Sequence, residues 1–384
     1  VIKILNFIGF KNNIFVIDSY LPIYENLIFQ VFYLKQFPKI WKSPVLKNVN
    51  EDEELRNKLS NIYNIKKKNN FLQFFSRIIF KIMPRVYLEG FELNNKIVLD
   101  SNWPKNPKLV FTANAFDTND FFKFWLINKI KKTKYYSIQH GANYGVSEFD
   151  VNPSIEEYTS DKFITWGYKN YKTQIKGINI KLKKKINRSN HVNDNMVLFL
   201  KPSPRRDFLW NDSLEFKIHI NENIKFIKSL SELNRSKLEV KRYSTKEFYN
   251  FDVKKILNLK IDKVKFSEQS YQELIKTKKL FLFINFHSTG FLETLSYNIP
   301  CIYVKDTYSE FRSDYLNDLK KLGKVNIYFN SSTKAAKFIN KNYSDLYKWW
   351  NNKSVQRARK FFINKYSKNC ENKLRKLSDL INKY

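Results

Sequence analysis

The sequence predicts an α/β protein of two halves, closed by a helical C-terminal tail. Three observations predict this. Short apolar runs recur at strand length, helical segments separate them with brief polar connections, and the rhythm breaks once near the middle before restarting. The 384 residues suffice for two domains that each bury a core. A hydrophobic share of 43% and an aromatic share of 17% place the chain among folded proteins.

In order, residues 1–5 and 14–17 read as short buried strands. Residues 51–83 read as largely helical, with acids at the start and Lys/Arg later, as the helix dipole favours. Strands are expected at 109–111, 135–138 and 162–166, with a helix over 119–131 between the first two. Residues 170–195 dissolve into Lys, Asn and isolated Ile, and read as a hinge or linker. The domain boundary is therefore expected at 185/186, giving domains 1–185 and 186–384. The second half restarts with strands at 196–200, 238–241, 280–284 and 301–304. Helices are expected at 221–233, 270–276 and 290–297, and beyond Lys334 the chain reads as helical and basic.

The formal net charge of +33, from 69 Lys+Arg against 36 Asp+Glu, makes the surface attractive to anions. The lysines are scattered, which fits either a solvated surface or peripheral contact with an anionic membrane face, worth roughly 1 kcal/mol per well-placed cation. No nucleic-acid motif accompanies them, so nucleic acid is not an expected partner. Cys301 and Cys370 cannot build a disulfide framework or a Cys-based zinc site, and the chain reads as cytosolic. No apolar run reaches the roughly 20 residues of a membrane-spanning helix, and Val1 leads into strand-like sequence without a signal pattern.

Two motifs carry the sharpest chemistry. Phe286-His287-Ser288-Thr289-Gly290-Phe291-Leu292-Glu293 lies between a very apolar strand and a helix. Hydroxyls and free N–H groups there suit a phosphate, although Ser288 and Thr289 also read as plain N-caps with Glu293 as capping partner. Gln139-His140-Gly141-Ala142-Asn143-Tyr144-Gly145 ends another strand. His140 can take a proton from an acceptor hydroxyl, and the glycines permit close approach; the alternative is a structural His in a turn. Arg205 and Arg206, and Arg242, follow two strands of the second half and suit phosphate through their forked donors, against a surface-charge alternative. Asp117 lies just past a strand; capping by Asp117 or Asn119 competes with a role as acceptor-side base. Dinucleotide, P-loop, nucleophile-elbow and spaced metal-ligand patterns are missing from the sequence.

These motifs, with Asp18-Ser19-Tyr20-Leu21-Pro22 and Phe163-Ile164-Thr165-Trp166-Gly167, resemble a family of transferases found in bacterial surface-polysaccharide gene clusters. More distantly the plan is similar to capsular Kdo transferases, nonulosonic-acid transferases and CDP-glycerol glycerophosphotransferases. The resemblance implies a GT-B fold of two Rossmann-like domains facing a cleft, independent of metal and cofactor, with the donor nucleotide on the C-terminal domain. It implies that Ser288, Thr289, Gly290 and Glu293 belong to the donor side, and that Gln139, His140, Gly141 and Tyr144 form an acceptor-side loop. His287, if turned into the cleft, would donate to the departing phosphate. The implied partners are a nucleotide-sugar donor, such as a CMP-activated Kdo-like or nonulosonic acid, and a glycan or lipid-linked acceptor at the inner membrane face. The alternatives are a CDP-alcohol-dependent glycerophosphotransferase and a nonenzymatic membrane- or polyanion-binding protein. Family members are generally longer, which implies sequence before Val1.

Overall fold

A computed structural model describes residues 13–63, 70–149, 151–183, 186, 188, 192–202, 210–242, 253–262, 264–305 and 310–383. The expected strand over 1–5 lies outside them. The chain divides into two compact units, Val1–Ile138 and Gln139–Tyr384. The expected boundary at 185/186 falls within the second unit.

In the first unit, β1 (Ile14–Val16), β2 (Leu109–Thr112) and β3 (Lys134–Ile138) pair in parallel, with Phe15 opposite Val110 and Val110 opposite Tyr135. β1 and β2 are continuous apolar runs because both their faces are covered. Phe15 meets the rings of Trp41, Trp103 and Trp125 edge-on at centroid distances of 5.3, 5.1 and 4.7 Å. After β2, Asn119 caps the helix Asp120–Ile127, its side chain accepting from the Phe122 N–H at 3.0 Å. That helix ends four residues short of the expected 131, where the apolar pattern gives way to Asn128, Lys129, Lys131 and Lys132.

The expected helical stretch 51–83 contains two helices, Glu53–Ile62 and Asn70–Ile82. Arg56 joins them. Its guanidinium donates to both carboxylate oxygens of Glu89 (2.6 and 2.9 Å) and to the carbonyls of Phe80, Lys81 and Met83. One buried cation thus satisfies the carbonyls that a helix C-terminus leaves open, and it holds the Glu89 carboxyl down at about 2.

In the second unit, β4 (Lys162–Thr165) pairs in parallel with β5 (Gln174–Lys176). A six-stranded sheet contains β6 (Asn193–Phe199), β7 (Leu238–Lys241), β8 (Lys265–Phe266), β9 (Lys278–Ile284), β10 (Cys301–Val304) and β11 (Tyr328–Phe329), in the order β11-β10-β9-β6-β7-β8. Every pairing is parallel. Alternating side chains of β9 feed two cores. Phe281 and Phe283 pack with Thr289–Ser296 and the C-terminal helix Lys353–Tyr366, while Leu280, Leu282 and Ile284 pack with Trp210–Ser229 and Ser332–Asn342.

The reading of 170–195 as a linker is corrected. Gln174–Lys176 is a strand, and Ile175, Ile178, Ile180 and Leu182 are all buried, so the isolated isoleucines are core residues of an irregular segment. Lys373, from the last helix (Lys373–Asn382), donates to the carbonyls of Ile180 and Leu182 at 3.1 and 2.9 Å. The helix expected over 221–233 begins at Trp210 and stops at Ser229; Ser231 then caps a separate turn, Glu232–Ser236. The expected helical tail holds, in Ser332–Asn342, Leu346–Trp350, Lys353–Tyr366 and Lys373–Asn382. Among the described residues no helix is long and apolar enough to cross a membrane.

Arg56→Ala is expected to destabilise the first unit by roughly 3–5 kcal/mol, because Glu89 would stay buried without its partner. Urea unfolding checks this; a loss under about 1 kcal/mol would mean that the pair behaves like an exposed one.

Candidate functional site

The order of the six-stranded sheet fixes where a ligand can sit. From β6 the chain adds β7 and β8 on one side, then returns to place β9 and β10 on the other. The two loops that begin at the carboxyl ends of β6 and β9 therefore start at a switch point of the kind where open parallel sheets bind ligands. A buried imidazole, His219, ties the two loops. The Lys201 N–H donates to its Nε2 at 3.0 Å, so the proton of the neutral ring sits on Nδ1, which donates to the Asn285 carbonyl at 3.1 Å. Asn285 itself sits at φ 53°, turning the chain sharply out of β9.

Next comes the expected donor motif. Ser288 is the N-cap of Thr289–Ser296, its hydroxyl accepting from the Phe291 N–H at 3.3 Å. Glu293 is not its capping partner. The capping-box position is the third residue of the helix, Phe291, and Glu293 lies two residues further on. Instead Glu293 is buried, and burial pushes its carboxyl up to about 7, while the charge of Lys181 pulls it the other way. Gly290 lends its carbonyl to the hydroxyls of Thr294 and Tyr271, at 2.6 and 3.3 Å.

The expected acceptor-side loop lies in this same unit. The Gln139 side chain accepts from the Trp166 N–H and donates to the Gly141 carbonyl, both at 2.8 Å, which sets the turn leaving β3. His140 Nε2 lies 2.6 Å from the Tyr144 hydroxyl and 3.3 Å from the buried carboxylate of Glu156, to which the Tyr144 hydroxyl also donates. With a carboxylate on Nε2, a neutral ring keeps its proton there and its basic lone pair falls to Nδ1. Gly145 has a steric cause: φ is +69°, and a Cβ would sit 2.4 Å from the Tyr168 ring. At Gly141 a Cβ would meet nothing closer than 3.6 Å, so packing does not demand a glycine there.

Two contacts join the motifs. His287 faces the Asn143 amide oxygen through Nδ1 (3.3 Å) and the Tyr315 hydroxyl through Nε2 (2.7 Å), among the rings of Tyr303, Phe311 and Tyr315. Lys181 donates to the His140 carbonyl at 3.5 Å while its charge acts on Glu293. The pairing of Ser147 with Phe311, and the Arg312 N–H on the Val146 carbonyl at 2.9 Å, fix the rest of the loop.

Other expected residues fall elsewhere. Arg242 is partly exposed and pairs with Glu268 at 3.3 Å. Arg205 and Arg206 lie outside the described residues. Asp117 is exposed on the short helix Ala115–Thr118 of the first unit, and it is Asn119 that caps the helix after it, Asp120–Ile127. Beside it Asp18, Asn114, Asn119, Asp120 and Ser43 line a pocket of about 570 Å³ at the carboxyl ends of β1 and β2. Burial raises the Asp18 carboxyl, opposed by its hydrogen bond with Asn119. Glu156, Lys181 and His219 have no motif to mark them. The pair Glu156-Glu157 reads as a solvated helix face, and only the fold shows both carboxylates buried.

Residues 1–381 match the LIC12162 family transferase. The chain belongs to this family. No curated protein matches the sequence. Among solved structures, the chain is similar to MurG of Acinetobacter baumannii, at 10% identity over 97% of this chain and 99% of that one, TM-score 0.43. It is similar to MnaA of S. aureus solved with UDP, at 12% identity over 97% and 95%, TM-score 0.49. It is also similar to WaaG, a glycosyltransferase involved in lipopolysaccharide biosynthesis, at 11% identity over 96% and 99%, TM-score 0.39. Likeness at this level carries no functional argument. Family membership makes the chain a transferase, as its motifs led one to expect.

Glu293→Gln is expected to remove a pH dependence of stability. The folded carboxyl titrates near 7, above its ordinary 4.5, so its contribution is fully present below 4.5 and is lost as pH rises through 7. The variant should melt like the parent near pH 4 to 5. Above pH 7 it should melt higher, with a ceiling on the order of 3 kcal/mol. A variant less stable than the parent above pH 7 would show instead a paired, charged Glu293.

Proposed function

We propose that the chain is a glycosyltransferase of GT-B type that moves a sugar from a nucleotide donor to a hydroxyl of a surface-glycan or lipid-linked acceptor. One observation carries the reading. A carboxylate-backed histidine at a strand end is tied, through Lys181 and His287, to a capped helix N-terminus at the switch point of a parallel sheet. Membership of a transferase family supports it.

In this reading the donor phosphate lies against the first N–H groups of Thr289–Ser296, where the helix dipole favours an anion. Lys181 and Arg242 add positive charge, and the sequence offers Arg205 and Arg206 for the same task. The acceptor oxygen attacks the anomeric carbon as the bond from that carbon to the phosphate oxygen breaks. The nucleotide leaves with the bonding electrons, and His140 Nδ1 takes the acceptor proton. Charge growing on the departing phosphate is met by groups already in place, usually the largest catalytic contribution. His287, held by Asn143 and Tyr315, serves to position the His140 loop and not to donate the proton. Within the first unit, the polar pocket around Asp18 and Asn114 has the side chains to bind hydroxyls, and Asp117 is the competing base that the sequence offers. The resemblance to Kdo and nonulosonic-acid transferases points to a CMP donor.

The test is a thermal-shift screen with CMP, CDP, UDP and GDP and their conjugates, followed by transfer assays with the nucleotide that stabilises. One nucleotide should raise the melting temperature well above the others. His140→Ala should keep that shift and lose about 10²–10⁴-fold in turnover, the range for a general base. A small shift shared by all nucleotides and abolished by salt would favour a nonenzymatic polyanion binder. A fully active His140→Ala variant would move the base to Asp117.

A further inference from the structure

We propose that the helix Asn70–Ile82 is a docking surface for an anionic lipid bilayer. The proposal rests on that surface and stands apart from the reaction above. The helix carries Phe71, Phe74, Phe75, Ile78 and Ile82, spaced so that at 3.6 residues per turn they form one longitudinal stripe. In a packed helix such a stripe faces the core. Here it faces outward: Phe71 is 69% exposed, Phe74 59%, Phe75 41% and Ile82 63%.

The face that packs is a different one. Ser76 is buried, Phe80 meets Tyr63 at a centroid distance of 5.7 Å, and the helix end is gripped by Arg56. The helix is therefore held by its Ser76–Phe80 side and by Arg56, and presents the phenylalanine stripe. Phe71 and Phe75 stack on each other along the stripe, with centroids 6.1 Å apart.

Charge selects the occupant. Arg77 and Lys81 are exposed along one border of the stripe. From residue 55 to 88 the sequence has eight Lys and Arg and no Asp or Glu. Lys66, Lys67 and Lys68 directly precede the helix in sequence, and Arg85 follows it. Phenyl rings flanked by cations suit the boundary between acyl chains and anionic headgroups, where a helix lies in the plane of the interface. An apolar protein partner would not need an acid-free border, and a nucleic acid would not need the aliphatic and aromatic stripe.

The experiment is sedimentation of the full chain with vesicles of phosphatidylcholine alone or mixed with phosphatidylglycerol. Binding is expected only to the mixed vesicles, falling as salt is added. Phe74→Ser/Phe75→Ser and, separately, Arg77→Glu/Lys81→Glu should each weaken partitioning by about tenfold or more while leaving circular dichroism and nucleotide stabilisation unchanged. Phe75→Trp, which keeps the stripe intact, should show blue-shifted emission on adding the mixed vesicles. Wild-type binding by either double variant would overturn the proposal, as would equal affinity for both vesicle types. So would a tryptophan whose emission does not move. A shift from dimer to monomer in the phenylalanine variant, without change in vesicle binding, would assign the stripe to a second copy of the chain. Loss of nucleotide binding with vesicle binding retained would fault the transferase reading and leave this one standing.

Discussion

The larger unit depends on β6 lying beside β9. These two strands are the centre of the six-stranded sheet, with Leu198 opposite Leu282 and Phe199 opposite Phe283. The Phe199 ring stacks on both Phe281 and Phe283 at centroid distances of 5.8 and 5.1 Å. Because the chain departs from β6 in one direction and comes back on the other side, the strand ends diverge at this one place. The donor motif owes its position to that divergence. His219 makes it durable, since a single neutral ring accepts from one diverging loop and donates to the other.

The acceptor-side loop is fixed with equal economy. Gln139 shapes its first turn, Gly145 its last, and between them Asn143 reaches His287. The loop and the donor motif therefore share a single packed environment. The His140 ring is held at Nε2 by Tyr144 and Glu156. The imidazole orientation is thus a property of the buried carboxylate 16 residues further along the chain, not of the loop alone.

Much of this was legible in the sequence. Strands such as 109–111, 280–284 and 301–304 are continuous apolar runs between turn signals, and parallel pairing buries such runs on both faces. The two motifs were visible because His, Gly and Ser stand out where a strand gives way to a polar turn. What stayed hidden depended on distant partners. Ile175, Ile178, Ile180 and Leu182 looked like isolated hydrophobes in a lysine-rich linker because no local period relates them. They become core only when Lys373, from the far end of the chain, satisfies the carbonyls between them. Glu156 and Lys181 were hidden for the same reason, as a buried carboxylate and a shared cation have no local signature. His219 lies between Ile218 and Ile220 on the helix Trp210–Ser229, where it reads as one more core position, and nothing near it in sequence announces Lys201 or Asn285.

The sheet order also shapes how the protein comes into being. β6, β7 and β8 are neighbours in sequence and can assemble as soon as they are made, but β9 arrives only after residue 277. Until then the apolar flank of β6, with Met196, Val197 and Leu198, is an open strand edge of the kind that pairs with other chains. Non-local pairing of this sort is slow to form. The growing polypeptide therefore passes through a stage in which the β6 edge is exposed, and β9 ends that exposure.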